Sequence, residues 1–438
     1  MPGIDYNVYG YKTAFYALLN RGNFEIVQAL EDPLLNLVES RILKAVIDGE
    51  DRYLKLLMGD SFHTMATKHG QYSFDVNPGS PIIEDATIDY KLLSARFLID
   101  GSTVKLMKST DATSRAMGLD TMLELYKSFL KKTKYRLLAG DGSGRLFYVK
   151  ANSGTSQFAV EDDGTTILSG ASPAWKWMQK GQRVDIVNAT TGLAVEGGVD
   201  VEVQSIVKST GAIVIDETVA VTASKAYYFR LHTPHSDSTD KDYDTNCSLL
   251  PEPAGIPGVV TTTASLYGYS SASYANWYSP AKDMDGVAPG VEDFDELFSE
   301  LDVRPGMVCI GDGAVISQLK KELVAKGMYT MTEEESIYVD IKSIKYPCMN
   351  INQQDIPLLT SPEFNGQRKI FFVAPDMLAE KGTSIKPEWK RNELTWGEGE
   401  NFMYDDTEMD YELYTGARKC HGMLYDCGAA YGWNKVTV

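Results

Sequence analysis

The sequence predicts an α+β protein into which a small all-β module is inserted, and three observations carry this prediction. Residues 111–140 have the apolar periodicity of one long helix. Residues 141–235 are rich in glycine and turn signals, with short strands between them. From residue 247 to the end, helical and extended patterns alternate. A chain of 438 residues is too long for one ordinary core, so about two to four domains are expected.

The composition and net charge of the chain disfavour nucleic-acid-binding, membrane and secreted proteins. The chain carries 60 acidic and 42 basic residues, a formal net charge of −18, which disfavours a general nucleic-acid-binding surface. No apolar run reaches the length that spans a bilayer, so no membrane partner is expected. Residues 1–6 contain neither the basic segment nor the apolar core of a secretory signal, so synthesis and folding in a cytoplasm are expected.

Residues 1–60 are predicted to be an N-terminal arm with helices, one of which starts at Asp32-Pro33 and ends at Gly49. The helical pattern covers most of residues 11–60 and should pack on another part of the protein or on another subunit.

Residues 61–110 are expected to run irregularly into an extended hairpin with strands at Lys91–Ile99 and Thr103–Lys108. The strands join at Asp100-Gly101. A two-stranded hairpin is marginal alone, so this one is expected to need a partner surface. The expected apolar anchors beside the turn are Phe97, Leu98 and Ile99.

Residues 111–140 form the predicted long helix, with Asp111 as N-cap and Gly140 at the C-terminal end. A helix of about 28 residues is roughly 42 Å long, which suits a structural strut better than a compact enzyme domain. The apolar residues of this helix recur at three- and four-residue steps and form one stripe, and the basic residues fall largely on the other side. The basic residues proposed for contacts between subunits are Lys127, Lys131, Lys132 and Lys134.

Residues 141–235 are predicted to be a barrel or sandwich inserted after the strut. The predicted strands are Arg145–Val149, Arg183–Val187, Val199–Val207, Ala212–Ile215 and Ala226–Leu231. Gly140 to Gly144 lack the preceding strand and following helix of a phosphate loop, so they are interpreted as a junction. Trp175 and Trp177 could stack on a sugar, but packing on the same face of a strand is the preferred interpretation.

The remaining chain is divided into a linker and return at 236–290, an α/β domain at 291–394 and a terminal extended segment at 395–438. The α/β domain should contain a helix around Phe294 to Leu301, a strand at Met307–Ile310, a helix at Ala314–Lys326, and strands at Ile337–Tyr346 and Lys369–Ala374. An acidic run near residues 393–412 includes Asp405, Asp406 and Glu408. Because the strut is basic, head-to-tail contacts between copies are one interpretation of this run, and a solvated face is the other.

No motif predicts catalytic, cofactor-binding or metal-binding residues. The aspartates at 237, 240, 242 and 244 lack the spacing of a calcium loop and indicate a solvated linker. The closest histidines, His232 and His235, have no nearby thiol or carboxylate that would complete a zinc site. The cysteines are odd in number and unpaired in pattern, so buried or neutral thiols are expected at Cys247, Cys309, Cys348, Cys420 and Cys427.

The order of these parts resembles the major capsid protein of tailed double-stranded DNA bacteriophages, with the Hong Kong 97-type fold. The local similarities are in Gly255-Ile256-Pro257-Gly258 followed by Ser265 to Gly268 and Trp277, in Asp355 to Leu359 followed by Phe371 to Pro375, and in Arg136 to Gly144. The last stretch is similar to the exit of the spine helix in members that carry an inserted β-domain there.

The resemblance implies a non-enzymatic subunit with an N-terminal arm, an extended loop, a spine helix, and peripheral and axial domains. It implies hexamers and pentamers of an icosahedral shell around double-stranded DNA, located in the virion, with scaffold, portal and decoration proteins as further partners and no cofactor. No motif selects a crosslinking acceptor, so a non-covalent shell is expected. The alternatives are an encapsulin-like bacterial nanocompartment shell and a glycan-binding protein that acts through the β-module.

Overall fold

The structure is a computed structural model of the whole chain. The residues that it describes are 43–44, 53–59, 82–87, 91–100, 139–150, 155–161, 178–207, 212–232, 252–325, 338–341, 344–351, 354–381, 388–389, 395–396 and 402–428. The predicted hairpin strand Thr103–Lys108, residues 111–138 of the predicted strut, Trp175, Trp177 and the linker aspartates lie outside this set. The described part contains helices and sheets, which confirms the α+β class.

The inserted module is a closed antiparallel barrel. Its strands are β5 (Arg145–Val149), β6 (Thr155–Phe158), β7 (Val160–Glu161), β8 (Arg183–Asn188), β9 (Val201–Val207), β10 (Ala212–Val219) and β11 (Tyr227–Leu231). The hydrogen-bonded order is β6-β10-β9-β8-β11-β5-β7. Because only Ala159 separates β6 from β7, one bent strand joins both ends of this order and closes the barrel.

The barrel interior is apolar and explains why the sequence forms it. Every strand of the barrel buries apolar side chains, and Phe158 packs edge-on against Phe229 with ring centroids 5.7 Å apart. All five predicted strands are present with small shifts of their ends. The bent strand at residues 155–161 was not predicted, because its exposed positions are polar and only Phe158, Val160 and Glu161 are buried within it.

The α/β domain is built on a seven-stranded mixed sheet of order β14-β24-β19-β15-β18-β17-β16. Its strands are β14 (Ala281–Asp283), β15 (Val308–Gly311), β16 (Tyr338–Ile341), β17 (Ile344–Ile351), β18 (Gln354–Thr360), β19 (Ile370–Val373) and β24 (Gly422–Tyr425). The prediction of one strand over Ile337–Tyr346 is wrong. Ile341 pairs with Ile344, so the chain reverses between them and forms a hairpin. Strand β18 was not predicted.

Two helices flank this sheet near their predicted positions: α2 (Val291–Glu300) and α3 (Gly313–Ala325), which follow the short helix α1 (Ile256–Val259). At the start of α2, the Asp293 carboxylate accepts a 2.7 Å hydrogen bond from the Gly290 N–H, as a capping residue should. Phe372 of β19 packs against Phe294 and Phe298 of α2 with edge-on ring distances of 5.5 and 5.0 Å. These rings join the helix to the buried face of the sheet.

A second sheet carries the terminal segment. It contains β1 (Leu43–Lys44), β4 (Lys91–Asp100), β20 (Leu378–Lys381), β21 (Glu388–Trp389), β22 (Thr395–Trp396) and β23 (Phe402–Thr415). The helical prediction for residues 11–60 is wrong at β1, which pairs in parallel with β20. It is also wrong at Tyr53–Gly59, because that segment finds non-local strand partners that periodicity cannot show.

The segment Tyr53–Gly59 is strand β2, and it pairs with β3 (Ile82–Thr87) in an antiparallel ribbon. One face of this ribbon buries Leu56, Met58 and Ala86 against Trp277. The short strands β12 (Ser265–Leu266) and β13 (Tyr269–Ser270) form a hairpin beside the same tryptophan. The ribbon is therefore stabilised by tertiary packing, since two strands alone would be marginal.

Candidate functional site

Strand β4, the first strand of the predicted extended hairpin, is fully paired within its own chain. Ten consecutive residues of β4 pair antiparallel with β23, from Lys91 opposite Tyr411 to Asp100 opposite Phe402. The expectation that the hairpin lacks a partner in its own chain is therefore wrong for this strand. A single sequence gives no indication of pairing between segments about 300 residues apart, because β-strand partners are set by topology.

This pairing brings together residues that the sequence analysis had placed in two separate groups. Phe97 stands opposite Asp405, Leu98 opposite Tyr404, and Ile99 opposite Met403, while Asp100 ends the register. Asp406 stands opposite Arg96, and Glu408 opposite Ser94. Gly101, Lys127, Lys131, Lys132 and Lys134 lie outside the described residues, so contacts between the strut lysines and the acidic segment stay a prediction.

The acidic residues of β23 lie in the middle of a sheet. On the side away from β4, Glu408 is paired with Glu388 of β21, and Met403 with Trp396 of β22. Glu388 thus adds an acidic residue of β21 beside the acidic residues Asp405, Asp406 and Glu408 of β23.

The barrel joins the α/β domain through a two-stranded neck made of residues 139–144 and 252–255. The Gly255 N–H donates to the Gly140 carbonyl at 2.9 Å, and Asp141 and Ala254 form an antiparallel bridge. The Gln367 side-chain amide donates to the Ala139 carbonyl at 2.8 Å and so fixes the neck to the α/β domain. Gly140–Gly144 was predicted to be a flexible junction between the helix and the β-module; the segment leads into β5, and hydrogen bonds hold it in place.

Buried charges reinforce this neck. Arg230 of β11 and Glu252 form an ion pair at 3.4 Å, with only 3% and 6% of their side chains exposed. A Cβ atom on Gly144 would lie 2.7 Å from the Glu252 carboxylate, and its φ of +75° also favours glycine. Arg145 pairs with Asp141 at 3.2 Å and lies over the Tyr148 ring at 4.3 Å.

A second buried network holds the chain where it returns after β23. Arg418 donates to the carbonyls of Trp277 at 3.2 Å, Thr261 at 2.8 Å and Thr263 at 2.9 Å, and its guanidinium lies 5.9 Å from the Trp277 ring centroid. Burial lowers the pKa of Arg418. Sequence reasoning missed this arginine, because nothing in its local pattern distinguishes it from an exposed one.

His421 is fully buried beside the same return. Its Nδ1 accepts a hydrogen bond from the Ala374 N–H at 3.2 Å, and its Nε2 lies 2.8 Å from Thr415 Oγ1. Burial, with a smaller effect from Arg304, lowers the pKa of His421 to about 3. The neutral ring therefore donates from Nε2 to Thr415, and its role is structural.

The described residues contain little that suggests reaction chemistry. Within them, no three histidine, cysteine, aspartate or glutamate side chains are grouped to hold a metal ion. Cys309, Cys348, Cys420 and Cys427 are buried free thiols, as expected, whereas Cys247 lies outside the described residues. Burial raises the pKa of Cys309 and of Cys427, so both stay protonated. None of the helices in the described ranges is long and apolar enough to cross a membrane.

Solved structures similar to this chain are mainly shell proteins of phages, the class that the sequence resemblance implies. The Cyanophage A-1(L) capsid matches with a TM-score of 0.42 and 10% identity, over 91% of this chain and 93% of that chain. The capsid of the empty GTA particle matches with a TM-score of 0.41 and 9% identity, over 90% of each chain. The holo-SrpI encapsulin complex from Synechococcus elongatus PCC 7942 matches with a TM-score of 0.27 and 12% identity, over 35% of this chain and 56% of that chain.

No protein-family model matches the sequence, and no curated protein matches it. The three solved structures share at most 12% identity with the chain, and their TM-scores lie below 0.5. The function proposed below therefore rests on the chain's own residues.

Proposed function

We propose that this chain is the structural subunit of an icosahedral shell, a major capsid protein of the tailed-phage type that encloses double-stranded DNA. The observation that carries the proposal is the ten-residue register between β4 and β23. It joins β4, the first strand of the predicted extended hairpin, to the terminal segment in one sheet. A hairpin whose first strand is fixed in this way can contact a neighbouring subunit through its far end while β4 stays in place.

The neck supports the same proposal, because it shows a barrel attached to a complete α/β domain. The chain leaves that domain at Gly140 and re-enters at Gly255, where a 2.9 Å hydrogen bond joins the two points. Such closely spaced ends allow a module to be added without disturbing the parent fold. The barrel, the α/β domain and the terminal strand follow each other in the order that the resemblance implies, and the spine before them stays a prediction.

The acidic segment points to contacts between copies. Asp405, Asp406 and Glu408 belong to β23, and Glu408 is in register with Glu388 of β21. The strut lysines Lys131 and Lys132 of a neighbouring copy are the proposed source of compensating charge. Individual exposed ion pairs are worth only about 0–1 kcal/mol, but identical pairs repeated around a shell can set its register.

The proposed partners are further copies of the chain in hexamers and pentamers, together with scaffold, portal and decoration proteins. The DNA would be enclosed without sequence-specific binding, since acidic residues outnumber basic ones by 60 to 42. The subunit is proposed to be made in the bacterial cytoplasm, to reside in the virion and to act without enzymatic activity.

Electron microscopy and light scattering of the purified full chain test this proposal. We expect closed particles or rings of subunits, formed alone or after addition of a molecular crowder, because obligate assembly interfaces are large. A variant that lacks residues 98–103 should remain folded and lose assembly, because the deletion removes the predicted turn of the hairpin and only the last three of the ten β4 residues that pair with β23. A monodisperse 48.4 kDa monomer under all these conditions would contradict the proposal, as would normal particles from the deletion variant.

A further inference from the structure

Charged side chains from three segments of the barrel surround His232, where the chain leaves β11. Nδ1 of His232 lies 2.8 Å from Oδ1 of Asp185 in β8. Nε2 of the same ring lies 3.8 Å from Oδ1 of Asp200, in the turn that precedes β9. The imidazole is mostly buried and Asp185 is fully buried, so the contact between them is shielded from solvent, whereas the Asp200 side chain is one third exposed.

Asp185 needs a positive charge at this position. Its side chain is fully buried, and Oδ1 also accepts a 2.9 Å hydrogen bond from the Asp200 N–H. Its second oxygen, Oδ2, is buried and accepts no hydrogen bond from the residues that the structure describes. Arg230 is its register partner on β11 and is paired with Glu252. A buried carboxylate is costly unless a cation is close to it, and an imidazolium at His232 would supply that charge.

The other charged side chains around the ring, Asp200 and Arg183, shift the pKa of His232 in opposite directions. Arg183 of β8 lies 3.9 Å from Asp200 and 3.7 Å from Glu202 of β9, and it is half exposed. Burial lowers the pKa of His232, and so does the positive charge of Arg183. The hydrogen bond to Asp185 and the negative charges of Asp185 and Asp200 raise the pKa by more. The pKa of His232 is therefore raised above its ordinary value.

We propose that His232 is a pH-operated latch that, as an imidazolium bridging Asp185 and Asp200, fastens the end of β11 to β8 and to the turn before β9. Loss of the proton leaves a neutral ring that holds Asp185 alone and releases Asp200. The latch lies at the barrel exit, so it controls how firmly the chain is held before residues 233–251. The inference does not depend on the proposed shell function.

The direction of the pH effect follows from thermodynamic linkage. A histidine whose pKa is higher in the folded state adds stability that is complete below its unfolded pKa and is lost as pH rises through the folded value. The latch is thus closed in mildly acidic solution and opens on the alkaline side of the folded pKa. Each unit of pKa difference makes opening up to about tenfold more frequent when the proton is lost.

Hydrogen exchange of the full chain between about pH 5.5 and about pH 8.5, corrected for intrinsic exchange rates, tests the latch. In the unmodified protein, we expect amides of 183–188 and 227–232 to lose protection at the higher pH. The variant His232→Gln keeps a hydrogen-bond donor but cannot titrate, so its protection should not change across this range. Residues around His421, whose pKa is about 3, serve as an internal control because that ring does not titrate in this window.

Asp200, the more exposed of the two carboxylates, provides a second variant that leaves His232 in place. Asp200→Asn removes the weaker of the two contacts, so the midpoint of the pH effect should fall while the protein stays folded. The proposal is wrong if the unmodified protein shows no pH effect, or if His232→Gln shows the same effect. If His232→Gln fails to fold, an unchanged midpoint in Asp200→Asn overturns the proposal by itself.

Discussion

Breaking the buried ion pair of the neck should release the barrel from its fixed position. The perturbation is Glu252→Ala, which leaves the Arg230 guanidinium buried, with 3% of its side chain exposed and without its carboxylate partner at 3.4 Å. Removing one member of a buried pair typically costs about 3–5 kcal/mol, because the remaining charge is uncompensated. At about 1.4 kcal/mol per factor of ten, amides of β11 and β8 should exchange more than about a hundredfold faster.

Two comparisons separate this effect from a general loss of stability. Glu202→Ala removes a carboxylate from an ion pair with Arg183, but that pair is exposed and should be worth only about 0–1 kcal/mol. The double variant Arg230→Met plus Glu252→Met removes both charges, so most of the lost stability should return. Hydrogen exchange followed by mass spectrometry measures all three variants peptide by peptide. If Glu252→Ala changes protection no more than Glu202→Ala does, the buried pair does not stabilise the neck.

Three further predictions concern the core, the barrel and assembly. Joining Gly140 to Gly255 through a short Gly/Ser loop should give a soluble protein with the α/β domain folded, as measured by circular dichroism and hydrogen exchange; global unfolding would show that the barrel belongs to the main core. Gly311→Ala should destabilise the protein by about 3 kcal/mol or more in denaturant titrations, because its Cβ would lie 2.3 Å from the backbone carbonyl of Lys369, just before β19; a change below about 1 kcal/mol would contradict this packing. Assembly, followed by light scattering, should weaken at high ionic strength and in the variant Lys131→Glu plus Lys132→Glu. The free subunit should bind duplex DNA negligibly near physiological salt. If it binds DNA tightly and that variant loses the binding, these lysines contact the genome instead.

Local patterns were sufficient where the structure depends on neighbours in the sequence. The helix around Phe294 and the strand that ends at Ile310 were predicted from apolar spacing, and both are present. The junction at Gly140 was predicted because a helical pattern ends there and a strand pattern begins. Four described cysteines are buried thiols, as their scattered spacing indicated.

Local patterns failed where two competing structures share one pattern. Residues 53–59 have apolar positions that suit either a helix or a strand, and pairing with β3 decides for the strand. The run from Ile337 to Tyr346 has one continuous strand pattern, and only the pairing of Ile341 with Ile344 shows that it contains two antiparallel strands. In the first case the deciding partners lie outside the local window, since Tyr53 pairs with Thr87, whereas in the second they are close in sequence and the pattern does not mark the reversal.

The sequence by itself determined the α+β class and the predicted strands at Arg145–Val149 and Arg183–Val187, because periodicity and turn residues are local properties, while the residues proposed for assembly contacts stay a prediction. Only the tertiary structure decided that the module closes into a barrel through the bent strand around Ala159, and that Phe97 and Asp405 face each other across one strand pair. It also decided that Arg230 and Glu252 form a buried ion pair and that His232 contacts the buried Asp185. The physical reason is that strand register and charge burial depend on contacts between residues tens to hundreds of positions apart, and these contacts are fixed only when the whole chain packs.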